Sequence, residues 1–240
     1  MKLTMSNEVD LGKESVKKLF WILALPAILS QVINALYNVV DRMYIGHIPE
    51  IGSAALTGVG VCFPIIMIIS ATAYLFGVGG APRASIFMGK KDNKTAEKIL
   101  GNCFISLVIV ALIITIIVLI FNEPLLYLFG ASENTIGYAR SYICIYAIGT
   151  ISVMVTLGLN AFISAQGFSK ISMLTVLIGA VTNIVLDPIF IFVFNMGVNG
   201  AAWATIISQT ISAIWAFQFL LSKKTVLRLR KDCMKIEKDI

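Results

Sequence analysis

Charge is scarce in this chain. Only 13% of its 240 residues are Asp, Glu, Lys or Arg, about half the share of a typical soluble domain. A single histidine is present, so no H-E-x-x-H zinc motif can be built. Neither G-x-S-x-G nor G-x-x-x-x-G-K-[ST] occurs, which removes a serine-hydrolase elbow and an ATP-binding P-loop. An intramembrane hydrolase or an ATP-driven pump would need residues that are missing, and the chain does not read as an enzyme. The four cysteines, Cys62, Cys103, Cys144 and Cys233, are far apart and have no metal-ligand spacing. The first three read as small apolar residues and Cys233 as a cytosolic thiol.

What is abundant is apolar surface. Hydrophobic residues make up 58% of the chain and the mean hydropathy is +0.89. A water-soluble chain of this size could not hide so much, because much of any folded surface must face water. Lipid is the solvent, and there every backbone polar group must be satisfied internally, by helices or closed barrels. The apolar runs are about 20 residues long without period-two alternation, which suits helices across a core of roughly 30 Å and excludes a barrel.

The runs predict six spans, near 19–41, 53–79, 99–121, 138–162, 172–194 and 200–221. The first is too long for a signal-peptide core and lacks an A-x-A-like exit. Residues 1–18 then form an N-terminal arm, 19–221 a six-helix unit, and 222–240 a basic tail. Of the 19 Lys and Arg, only Arg42 and Arg140 fall on one side of this arrangement. The others mark the cytosolic face, with both termini on it. The basic loops therefore report topology and attraction to anionic headgroups rather than nucleic acid. The place for such a protein is the cell membrane.

Two acids fall inside spans, Asp41 and Asp187. An ionisable residue there costs roughly 2.5–3.5 kcal/mol even on lenient scales, and is a functional-site candidate by default. At the helical rise, Asp41 lies about 34 Å past Lys18 and Asp187 about 26 Å past Lys170. Both belong to the outer half. Thr205 lies roughly 8 Å into the last span, which runs inward. Asn183 and Asp187 are i and i+4, stacked on one helix face. On the first span Gln31, Asn34, Asn38 and Asp41 draw a polar stripe that should face other helices or a wet cavity. Pro188 lacks an N–H, leaving the Ile184 carbonyl without its helical partner. A freed carbonyl beside a carboxylate and an amide suits a small cation or a proton. Pro26 reads as a kink or a hinge, and His47 as solvated in a polar loop.

Four segments, LPAILSQVINALYNVVDRMYIG, GKKDNKTAEKILGN, SAQGFSKISM and NIVLDPIFIFVFNMGVNGAAWAT, together resemble the multidrug and toxin extrusion (MATE) transporters, in their MepA-like branch. The likeness covers about residues 15–225. It implies an all-α polytopic fold, six transmembrane helices forming one lobe of a twelve-helix transporter. It implies secondary antiport, in which organic, often cationic, drug-like compounds leave the cell against H⁺ or Na⁺, with no other cofactor and a role in antibiotic resistance. By resemblance, Asp41, Asn183, Asp187 and Thr205 carry cation coupling, and Pro26 supplies a bend in the first helix. A tyrosine of the fourth span joins in some members, and Tyr138, Tyr142 and Tyr146 all remain open for it. The chain holds one lobe, and its ending reads like a linker to a second. The expectation is a fragment whose C-terminal lobe is missing, with pairing of two copies as the alternative. Two rival functions stand beside export: a non-transporting lobe or scaffold, and a lipid-carrier flippase of related architecture, which would need intramembrane Arg and Lys.

Overall fold

A computed structural model describes residues 15–234. The start of the arm, with Lys2 and Lys13, and the end of the tail, with Lys235 and Lys238, lie outside the described residues. The chain runs through α1 (Val16–Gly46), α2 (Gly52–Gly89), α3 (Asn93–Ile120), the short α4 (Asn122–Leu128), α5 (Ile136–Ile148), α6 (Thr150–Ala165), α7 (Ser169–Pro188) and α8 (Val198–Leu221). A π-helical turn, Ile189–Val193, extends α7, and a 3-10 turn, Lys231–Cys233, follows α8. No strand occurs among the described residues. Five helices are long and apolar enough to cross a membrane, or six when the bent pair α5 and α6 is one span. This is an all-α, multi-pass membrane protein.

The helices hold together by close approach, as expected where lipid removes any hydrophobic drive between them. Along α2 the buried residues Ala55, Gly58, Cys62, Ile65, Ile69, Ala73, Gly77, Ala81 and Ala84 recur at helical spacing, facing α3, α5 and α6. Where α2 crosses α6, a Cβ on Gly77 would stand 2.8 Å from the Gly158 backbone. Interhelical hydrogen bonds add to this, each contributing about 0.6–2 kcal/mol in membranes. Thr156 Oγ1 donates to the Gln209 carbonyl at 3.1 Å, and Ser212 Oγ to the Thr175 carbonyl at 3.0 Å. Thr115 Oγ1 donates to the Ala147 carbonyl at 2.9 Å. The outer face of α3 exposes Ile109, Leu112, Ile113, Ile116 and Ile117, side chains that belong in hydrocarbon.

The fourth span departs from the continuous helix expected over 138–162. It breaks at Gly149, and α5 and α6 are bent by 58°. The break lies against α8, where a Cβ on Gly149 would stand 2.5 Å from the Ile206 side chain, an approach that glycine allows without a shift. The second span was expected to end near 79, but α2 runs on to Gly89 through Pro82 and Arg83. Hydropathy falls there, yet Ala81 and Ala84 are buried with Ala96, Leu159 and Phe162, and packing carries the helix onward. Similarly α1 begins at Val16 rather than near 19.

Helix α1 lies chiefly along α7, with only light contact to α2 and α8. That pairing brings the two intramembrane acids toward each other.

Candidate cation site

Asp187 sits in the last turn of α7, where Pro188 ends the α-helical run and the π-helical turn begins. Its carboxylate is completely buried. One turn earlier, Asn183 donates its amide to Asp187 Oδ1 at 3.1 Å and approaches Thr205 Oγ1 of α8 at 3.5 Å. The i, i+4 stacking and the convergence with Thr205 are thus present as geometry. Thr205 is held in the α8 segment whose next turn is pinned by Ser208 Oγ donating to the Thr205 carbonyl at 2.8 Å.

Asp41, buried near the outer end of α1, comes within hydrogen-bonding reach of Asp187. The nearest cation on its own helix, Arg42, is turned onto the Phe63 ring, 5.3 Å from its centroid. Three buried oxygens have no hydrogen-bond donor: Asp41 Oδ1, Asn183 Oδ1 and Asp187 Oδ2. Buried polar atoms are normally satisfied, because leaving one bare costs about 1–3 kcal/mol. Three in one place form an oxygen-only set suited to a hard monovalent cation or a proton. No group of three or more His, Cys, Asp or Glu side chains suited to a metal ion occurs among the described residues, and a transition metal prefers nitrogen or sulfur.

The stripe on α1 is divided. Gln31 and Asn34 line a cavity of about 210 Å³. Asn38 is exposed instead, its amide donating to the Asn34 carbonyl at 2.7 Å. Tyr37 takes the inward place: it lines the cavity and lies near both Asp41 and Asp187. Sequence reasoning did not single it out. Tyr37 is three residues after Asn34 and four before Asp41, but Asn38 is four after and three before, so helical spacing does not choose between them. Asn160, Thr175 and Gln209 are among the other polar residues of the cavity wall.

The fourth-span tyrosines also separate. Tyr142 is buried, reaches Thr205 and lies near Asp41. Tyr146 stacks on Tyr142 with centroids 6.1 Å apart, and Tyr138 is only partly buried. Tyr142 is therefore the one adjoining the acid pair. Of the two prolines, Pro26 is buried within α1 and its carbonyl accepts from Ser30 Oγ at 2.7 Å.

The MatE family profile matches residues 26–189. The chain belongs to the MatE family. It is 25% identical over 228 residues to the multidrug export protein MepA of Staphylococcus saprophyticus subsp. saprophyticus, covering 95% of this chain and 50% of the relative. With MepA of Staphylococcus haemolyticus the identity is 29% over 215 residues, covering 90% and 47%. A multidrug resistance MATE family transporter of the MOP superfamily, solved in an outward-facing conformation, superposes with a TM-score of 0.85 at 27% identity, covering 93% of this chain and 49% of that one. The chain spans about half the length of the curated relatives it matches.

Proposed function

We propose that this MatE chain is the cation-coupling lobe of a secondary exporter, which moves organic, often cationic, drug-like compounds out of the cell against H⁺ or Na⁺. The observation that carries the reading is the meeting of Asp41 and Asp187 beside Asn183 and Thr205, buried, with three oxygens left without donors. Two buried carboxylates repel when both are charged. Binding H⁺ or Na⁺ between them removes that repulsion and favours one arrangement of α1 against α7; release favours the other. The ion shifts this balance only by its differential affinity for the two arrangements. Pro26 and Pro188 are the positions at which the two helices yield. Tyr37, shared by acid pair and cavity, would carry the change toward Gln31 and Asn34.

In this reading the chain lies in the cell membrane with both termini cytosolic. Residues 1–18 are an arm, 19–221 the six-helix lobe and 222–240 a linker, and transport requires a second lobe or a second copy. The half-length match to the exporters supports that requirement, and it equally favours a second reading, a lobe that does not transport alone. The cavity has no Arg or Lys in its wall, which disfavours a pyrophosphate-carrying flippase.

The test is export of an organic cation dye from proteoliposomes under an imposed H⁺ or Na⁺ gradient. Asp187→Asn in a two-lobe version is expected to abolish gradient-driven export while membrane insertion is unchanged. Undiminished export by that variant overturns the proposal. The 240-residue chain reconstituted alone separates an active pair of copies from a silent lobe.

A further inference from the structure

Beyond α8 the sequence reads as a basic cytosolic tail resembling an inter-lobe linker. Residues 222–234 are seated on the bundle by groups from α3, α8 and the α6–α7 turn. Leu227 is fully buried and Leu229 nearly so, both among Leu100, Ile163, Ala216 and Leu220. The backbone between them is neither helix nor strand, so its N–H groups need partners from elsewhere. They have them. The Leu227 N–H donates to Gln166 Oε1 at 2.8 Å, the Arg228 N–H to Glu97 Oε1 at 3.2 Å, and the Leu229 N–H to the Leu220 carbonyl at 3.2 Å.

Both acceptor side chains are themselves fixed. Gln166, in the turn between α6 and α7, is buried and donates its amide to the Phe162 carbonyl at 3.1 Å. Glu97, in the second turn of α3, is buried to all but 6% of its side chain, and its Oε2 pairs with Arg230 Nε at 3.0 Å. One carboxylate thus holds the segment twice, through a main-chain amide and a guanidinium. Further on, Gly101 lets the Cys233 carbonyl rest directly on α3, where any Cβ would collide with it.

We propose that residues 222–234 are a clasp, with Glu97 and Gln166 as its positioning residues. It joins the ends of α3, α6 and α8 into one rigid unit at the end of the bundle remote from the acid pair. Its anchoring groups lie on α3, on α8 and in the turn between α6 and α7. The clasp fixes the frame against which α1 and α7 can shift. This rests on contacts distant from the cation site and stands whether or not that site couples transport.

Amide hydrogen exchange of the full 240-residue chain in lipid nanodiscs tests it. The Leu227, Arg228 and Leu229 amides are expected to exchange more than about tenfold slower than in a free peptide, the mark of a closed local unit. Glu97→Ala should speed exchange about tenfold at those amides and also in the first turns of α3 and the last turns of α8, with the Val198 end of α8 unchanged. Should Glu97→Ala fail to insert, Arg230→Gln removes only the half-exposed guanidinium and should move the same amides in the same direction. Free-peptide exchange in the unaltered chain overturns the clasp. So does a loss of protection confined to 222–234, or an Arg230→Gln chain indistinguishable from the original.

Discussion

Asp41 of α1 and Asp187 of α7 face one another within hydrogen-bonding reach, each with a buried oxygen that no donor satisfies. The two residues are remote in sequence and arrive together because α1 packs along α7. Among the described residues no salt bridge joins either acid to a cation: the exposed Arg42 lies over the Phe63 ring, and Arg140 pairs with Glu123 at 2.6 Å in an exposed pair.

This arrangement predicts unequal outcomes for two substitutions at one position. Asp187→Asn keeps the shape and can still accept from Asn183, so unfolding stability in detergent should change by no more than about 1 kcal/mol. Asp187→Leu leaves the Asn183 amide without its 3.1 Å acceptor and should lower stability by about 1–3 kcal/mol. Equal losses for the two variants would mean that the Asn183 contact contributes nothing.

A double-mutant cycle tests whether Tyr142 belongs to the site. Thr205→Val and Tyr142→Phe each remove one hydroxyl with little change of shape. Because Tyr142 reaches Thr205, the pair should show a coupling of about 0.6 kcal/mol, the usual size for a hydrogen bond between membrane helices. Thermal unfolding of the four proteins supplies the number. Strict additivity would leave Tyr142 as a neighbour only.

Much of this site was legible from residue order. Asp187 was conspicuous because the apolar run continues beyond it. Asp41 was less so, because a cap at the outer end of the first span beside Arg42 would also account for it. Asn183 followed from helical spacing. The choice between Tyr37 and Asn38 was not legible, since both lie within one turn and only packing against α7 decides which points inward. Nor was the bend at Gly149, a glycine that looks like any other in a membrane run until Ile206 is seen against it. The seat of residues 222–234 was hidden for a different reason. Its anchors, Glu97 and Gln166, are far away in sequence, and a run of Lys and Arg reads as solvated unless a buried acceptor is known to face it.

Two glycines of α2, Gly77 and Gly79, should behave oppositely although they are two positions apart on one helix. A Cβ on Gly77 would press on the Gly158 backbone at 2.8 Å, and backbone cannot swing aside. Gly77→Ala should therefore destabilise by about 1–3 kcal/mol, the usual range for overpacking. Gly79 has nothing within 4 Å of its Cβ position. Gly79→Ala should stabilise by about 0.4–1 kcal/mol by narrowing the unfolded ensemble. Melting curves of both variants in one detergent would check the sign as well as the size.

The start of α3 gives a pH-dependent outcome outside the membrane. Asp92 caps this helix, accepting from Thr95 Oγ1 at 2.6 Å and from the Thr95 N–H at 3.1 Å. The Thr95 hydroxyl first, and then the Thr95 N–H, hold its carboxyl below the ordinary value of 3.8. A carboxyl whose folded value is depressed stabilises the fold above its unfolded value, and that contribution fades as pH falls through the folded value. Asp92→Asn carries no charge at any pH. The original chain should accordingly melt above the variant at pH 6, and the difference should shrink steadily once pH drops below 3.8. A gap that stays constant down to the lowest pH would show that the charge of Asp92, as distinct from its hydrogen bonds, plays no part in starting α3.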